Sequence, residues 1–158
     1  MEFKCFFSYY GSKAKIVQYY PAPKFNTIVE PFCGAANYSV RFFEKQIFLC
    51  DLNKDIIDTW EFLINASAKD ILSLPRFEKG LDLRKLDLSK GQRNFCGYWA
   101  SRGSNAPRNI VSTFAMANSN GSEYFENIKK LVSENLYRIK HWKIKQIGYE
   151  ELENNIIA

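Results

Sequence analysis

The stretch IVEPFCGAANYSVRFFEKQIFLCDLN, residues 28–53, decides how this chain folds. Its start, NTIVE (26–30), is a short run with β-branched residues between turn formers, the pattern of a buried strand. After Gly34, AANYSVRFFEK sets Tyr38, Phe42 and Lys45 on one face, with Val40 and Phe43 beside them, so a helix is expected. QIFLC (46–50) reads as a second buried strand. Asn53 then caps a helix through KDIIDTWEFLINA, with Ile56, Ile57, Trp60, Leu63 and Ile64 as its apolar stripe. Strands alternating with helices at this spacing imply βαβ units and a parallel sheet. The expected class is α/β, a parallel sheet with flanking helices.

Working outward, residues 67–88 read as irregular. KGQRNFCGYWASRG suggests a helix closed by Gly103, and SNAPRNIVSTFAMANSNG an extended loop. From Ser122 to about Trp142, Phe125, Ile128, Val132, Leu136 and Ile139 recur at three- and four-residue steps, an amphipathic helix. KIKQI (143–147) alternates as a third strand. There are no repeats or low-complexity stretches.

A chain of 158 residues is one domain by length, and 46% hydrophobic with 16% aromatic residues argues against disorder. No apolar run approaches the roughly 20 residues that span a bilayer, and MEFKCFFSYYG is too short in apolar residues for a signal peptide. No membrane association and a cytoplasmic location are therefore expected. The four cysteines are scattered without a CxxC pair, which fits reduced thiols. No His/Cys/Asp cluster has metal-ligand spacing, so no metal is expected. His141, the only histidine, ends a helical segment and is not assigned a catalytic role. Residues 1–66 hold seven basic and seven acidic residues, whereas 67–145 hold 15 basic and seven acidic, a balance of +8. A neutral front and basic middle fit a small-molecule site followed by a polyanion-facing segment, or equally an ordinary solvated surface.

A ligand at the C-terminal edge of a parallel sheet needs close backbone approach in the first turn, which Gly34, Ala35 and Ala36 allow. At the end of the second strand, Asp51 is placed to accept hydrogen bonds from ribose hydroxyls. This pattern is shared by dinucleotide and S-adenosylmethionine sites. The GxGxxG phosphate fingerprint is missing, since Gly34 is the only glycine between Gly11 and Gly80, which weighs against a dinucleotide-dependent oxidoreductase.

Three segments taken in order, SYYGSKAKI (8–16), EPFCGAANYS (30–39) and CDLNKDI (50–56), resemble the DNA adenine methylase family. That family places an aromatic–x–Gly–x–Lys element first, a Phe–x–Gly–x–Gly cofactor turn second and the ribose acid third. FCGYWASRGSNAP (95–107) and RIKHWKIKQIGY (138–149) also look like segments of a subgroup of these enzymes. The resemblance implies a partial Rossmann-like methyltransferase fold, a parallel sheet with flanking helices and an inserted, mostly helical target-recognition region, that binds S-adenosylmethionine and acts on adenine in double-stranded DNA. It implies that Tyr9, Gly11 and Lys13 line the methionine end of the cofactor, and that Pro31, Phe32 and Gly34 form the turn beneath it. Asp51 would take the ribose hydroxyls, with Leu52 beside the adenine ring. Two departures stand out: Ala36 replaces the second glycine of the turn, a mild change on this reading. Gly148 replaces an acid that contacts the adenine amine in many relatives.

The family's chemistry uses an Asp-Pro-Pro-Tyr motif to hold the amine of an adenine flipped from the duplex. None of the five prolines here is adjacent to another, so the motif is absent and no catalytic residue is assigned. ENNIIA (153–158) resembles the opening of the strand that would carry it. The expectation is a chain ending just short of the catalytic acid: a natural truncation, a fragment, or half of a split enzyme. Its first strand would then keep an open edge, prone to self-association or to pairing with a complementing chain. The expected division is 1–66 for cofactor binding, 67–142 for a basic target-recognition insert and 143–158 for the return to the sheet.

Within the insert, Arg93, Arg102 and Arg108 alternate with Asn94, Tyr98 and Trp99. Arginines contact phosphates or guanine edges, and aromatics stack where a base leaves the helix. Arg93, Asn94, Trp99, Arg102 and Arg108 are the DNA-facing candidates, although Phe95, Tyr98 and Trp99 fit the core face of a helix equally well. The alternative function is a non-catalytic nucleic-acid-binding module that kept the fold.

Overall fold

A computed structural model of the chain describes residues 2–101, 103–112, 122–152 and 154. Three parallel strands, β1 (Thr27–Glu30), β2 (Gln46–Asp51) and β3 (Lys143–Gln146), form one sheet in the order β1-β2-β3. Ile28 pairs with Ile47 and Leu49 with Ile144, so apolar side chains run across the sheet in register. Flanking helices complete a partial Rossmann-like α/β arrangement, as the alternation of strand and helix patterns implied.

The first crossover helix, α1 (Asn37–Arg41), is only five residues long, not the eleven that its apolar pattern suggested. The chain must turn at once to reach β2: Lys45 N donates to Phe42 O at 3.1 Å, and Gln46 N to Asn26 O at 2.9 Å. The two phenylalanines then part company. Phe42 packs edge-on to Tyr38 with centroids 5.0 Å apart, while Phe43 takes the Arg138 guanidinium 4.7 Å above its ring.

Helix α2 (Lys54–Asn65) starts where Asn53 accepts a hydrogen bond from Asp55 N, the cap expected from sequence. It buries Ile56, Ile57, Trp60 and Leu63. Trp60 is the hub of the core: fully buried, it meets Phe6, Phe7 and Trp142 with centroids 5.4–5.7 Å apart.

Residues 67–88 are more regular than they looked. Ser67 and Asp70 form a reciprocal capping box that starts α3 (Ala68–Leu72), a signal present in the sequence as S-x-x-D. A second capping box, Ser89 with Gln92, opens α4 (Lys90–Trp99). That helix ends four residues before Gly103, because Ala100 O turns to accept Ser112 N at 3.1 Å and the chain leaves the helix there. Helix α5 (Ser122–Asn135) continues as a tighter 3-10 turn over Leu136–Ile139, short of the Trp142 expected.

Helix α2 packs on α4, and α3 on α5. Phe77 and Phe125 stack with centroids 3.8 Å apart, and Phe125 also meets Phe95. Lys129 is buried in this layer, but its ammonium donates to Leu74 O at 2.8 Å and pairs with Glu126 at 2.6 Å. It therefore carries no uncompensated charge. All four cysteines are free thiols, and burial raises Cys5 to about 11 and Cys96 to about 12. Among the described residues no helix is long and apolar enough to cross a membrane.

Candidate functional site

The C-terminal ends of β1 and β2 meet in a turn held by backbone bonds. Cys33 N donates to Cys50 O at 3.0 Å, which seats the turn on the end of β2. Gly34 is in the left-handed region at φ +46°, and Tyr9 lies over it so closely that a Cβ there would sit 3.1 Å from Tyr9 Cε1. Only glycine satisfies both conditions. The Gly34 carbonyl accepts the Trp60 indole N–H at 2.7 Å, and its N–H donates to Asp51 Oδ2 at 3.2 Å. Asp51 Oδ1 accepts Asn53 N at 2.9 Å. One carboxylate thus ties the glycine turn to the loop that begins α2.

Ala36 also adopts a left-handed backbone, φ 48° and ψ 42°. Replacing glycine there is more than a mild change: an alanine in this region costs about 1–3 kcal/mol. The bonds around it, including Ala36 N to Cys33 O at 2.6 Å, hold the turn in place regardless.

Beside the turn lies a cleft of about 250 Å³ whose lining includes Tyr9, Gly11, Lys13, Phe32 and Gly34. Five of the eight cofactor candidates are therefore gathered in one place. Pro31 borders an adjoining recess with Tyr20, Val29 and Tyr38. Asp51 reaches the site through Gly34 N, on the far side of the turn. Leu52 is 66% exposed and faces Gly148, where a Cβ would be 3.4 Å from Leu52 Cδ2. Phe32, 70% exposed, stacks with Tyr149 at 6.4 Å. Large apolar groups left open beside a strand-end acid make a surface suited to a flat aromatic ligand.

Burial, and next the negative charge of Asp51, hold the Tyr9 hydroxyl above the ordinary tyrosine range. Glu30, at the end of β1, is raised by burial against the opposing effect of Ser39, whose N–H and hydroxyl donate to Glu30 Oε1 at 2.8 and 2.5 Å. Sequence reading missed Glu30, Asn37 and Tyr38 as part of this cleft. The only local signal was that all three flank the glycine turn.

The DNA-facing candidates divide. Trp99 is 6% exposed, and its indole N–H donates to Phe6 O at 3.2 Å. Asn94 is 2% exposed and donates to Asp55 O and Asp55 Oδ1 at 3.3 and 3.2 Å. These two are corrected to structural roles, because nearly the whole circumference of α4 is covered by α2, the N-terminal segment and α5. Arg93 is half-buried and donates to Leu88 O at 3.4 Å. Arg108 is exposed and borders an open groove with Arg84, Asn105 and Asn109. Its position depends on Gly97: Arg108 N donates to Gly97 O at 3.0 Å, and a Cβ on Gly97 would come 2.6 Å from Arg108 O. Arg102 lies outside the described residues.

Among the described residues no group of three or more His, Cys, Asp or Glu side chains could hold a metal ion. No curated protein matches the chain. The family model for D12 class N6 adenine-specific DNA methyltransferase matches residues 9–143, which takes in the Tyr9 loop, the glycine turn, Asp51, the described helices α1–α5 and the start of β3. With that match over most of its length, the chain belongs to the D12 class N6 adenine-specific DNA methyltransferases.

Proposed function

We propose that this chain supplies the S-adenosylmethionine-binding and DNA-recognition parts of an adenine methyltransferase. The observation that carries the reading is the convergence of Tyr9, Gly34 and Asp51 on one turn, with Tyr9 packed where any side chain on residue 34 would be. Because residue 34 has no side chain, Tyr9 closes directly on the backbone of the turn, and a ligand at this sheet edge needs the same close backbone approach. Lys13 and Gly11 border the end of the cleft assigned to the methionine moiety, Asp51 is assigned to the ribose hydroxyls, and Leu52 with Phe32 to the adenine ring. Bound S-adenosylmethionine would supply an electrophilic methyl group. The residues named here bind and orient it, and none of them moves a proton. The 158 residues contain no Asp-Pro-Pro-Tyr, so we assign the chain no group that holds the target amine and expect no methylation by it alone.

Residues 1–66 and 143–158 are assigned to the sheet and cofactor site, and 67–142 to recognition of double-stranded DNA. The exposed Arg84 and Arg108 at one groove support this, together with the +8 balance of the insert and its flank. Among the described residues β1 pairs only with β2, and Val29 on β1 and Phe25 just before it are exposed. We assign that edge to pairing with a second copy or a complementing chain. Light scattering at high concentration should show species larger than the monomer, and a strictly monomeric chain would refute the pairing by self-association.

Isothermal titration with S-adenosylmethionine, with nicotinamide adenine dinucleotide as control, tests the central claim. Micromolar binding of the first alone is expected. Heat from neither ligand would favour a nucleic-acid-binding module that kept the fold without the cofactor.

A further inference from the structure

Asn37 has no part in the site as assigned above. It is the first residue of α1, it is 6% exposed, and it belongs to the lining of the cleft. Ser12 Oγ donates to its Oδ1 at 2.5 Å, joining the N-terminal loop to the glycine turn. Its Nδ2 has no hydrogen-bond partner. Turning the amide over would exchange the two ends and leave the other one unpaired, so one polar end of this buried side chain is unsatisfied either way. Buried donors are costly to leave so, and in a binding cleft they are commonly matched by the ligand.

The chemistry of the matching group follows from the neighbours. Neither carboxylate nearest the turn takes the Asn37 amide: Glu30 Oε1 accepts from Ser39, Asp51 Oδ1 from Asn53 and Asp51 Oδ2 from Gly34. Lys13 stands exposed at the rim of the same cleft. An amide N–H₂ and an ammonium that share one pocket call for an anionic acceptor. We infer that Asn37 is a positioning and specificity residue that donates from Nδ2 to the α-carboxylate of S-adenosylmethionine, while Ser12 holds the other end of its amide. The inference rests on the reading that this cleft takes that cofactor. It adds a requirement that an amino-acid carboxylate be present on the ligand.

The test is isothermal titration of the full chain with S-adenosylmethionine and with decarboxylated S-adenosylmethionine, which differs only by the carboxylate. Asn37→Ala removes the donor. Asn37→Asp keeps an acceptor for Ser12 Oγ and sets an anion against the ligand's own. Asn37→Ala should weaken S-adenosylmethionine roughly tenfold to a hundredfold, the effect of a hydrogen bond to a charged group. Asn37→Asp should weaken it further. Asn37→Ala should bind the decarboxylated ligand within about twofold of the unaltered chain, the usual limit of additivity. Asn37→Asp, whose added anion meets a ligand that has lost its own, should bind it at least as tightly. Unchanged affinity for S-adenosylmethionine in Asn37→Ala would overturn the inference and leave the cofactor reading standing. Parallel losses for both ligands would also overturn it, by reducing Asn37 to a brace for the turn. An unaltered chain that binds neither ligand would overturn the cofactor reading, and this inference with it.

Discussion

Replacing Trp60 with phenylalanine tests the link between the core and the cofactor turn. The indole N–H of Trp60 donates to the Gly34 carbonyl at 2.7 Å, and both residues are buried. Phenylalanine keeps most of the contacts with Phe6, Phe7 and Trp142 but leaves that carbonyl without a donor. An unsatisfied buried carbonyl costs about 1–3 kcal/mol. The smaller ring adds about 1 kcal/mol for the void it leaves. The sum, about 2–4 kcal/mol, is a large share of the roughly 5–15 kcal/mol that holds a domain folded. Urea unfolding followed by circular dichroism should show the midpoint falling by about 1–2 M at unchanged slope. Trp142→Phe is the comparison, because its N–H donates to Phe43 O at a longer 3.3 Å in a part-buried setting where water can take over. It should cost less than half as much. Equal shifts in the two variants would refute the claim that the Trp60 bond to the turn is what matters. Below its transition, Trp60→Phe should also bind S-adenosylmethionine more weakly, since Gly34 is then free to shift under Tyr9.

Three further outcomes are expected. Gly34→Ala combines a left-handed backbone with a Cβ 3.1 Å from Tyr9 Cε1, so it should lose about 1–3 kcal/mol and S-adenosylmethionine binding together. Intact binding by titration would show that Tyr9 can yield. Glu30 has a raised pKa, so in the window above the ordinary 4.5 the folded state holds more protons than the unfolded one. Stability from this group is present at low pH and lost as pH rises through the raised value. Glu30→Gln keeps the oxygen that Ser39 binds, and its advantage in urea midpoint should grow from pH 4.5 towards neutrality. A pH-independent difference would contradict the sign. Arg108→Ala should weaken binding to duplex DNA and lower the slope of log affinity against log salt by about 1, measured by fluorescence anisotropy. No change in slope would remove Arg108 from the DNA-facing surface.

Much of this architecture was legible from local rules. NTIVE and QIFLC are strands, Asn53 is a cap and Ile56, Ile57, Trp60 and Leu63 are a buried stripe because period and capping chemistry are properties of adjacent residues. The same rules would have found α3 had the Ser67–Asp70 box been read. They overextended α1, since the point where its helix must break is set by the distance back to Gln46 and Asn26, not by its own pattern. Around the site, Tyr9, Gly34 and Asp51 come from three separate segments, and Tyr9 and Asp51 both contact Gly34 in the folded chain.

What adjacency could not supply is which face of a residue meets which neighbour. Trp99 and Asn94 looked available for DNA, yet only the docking of α4 against α2 and the N-terminal segment commits them to Phe6 and Asp55. Ser12 and Asn37 are 25 positions apart, and nothing in either segment announces the bond that joins them or the unpaired amide end it leaves in the cleft. The sequence by itself determined the elements, the family motifs and their order, because these are written in short-range periodicity and composition. The tertiary structure alone decided burial, partners and the donors left over in the cleft, because those depend on groups brought together by the sheet and its helices from far along the chain.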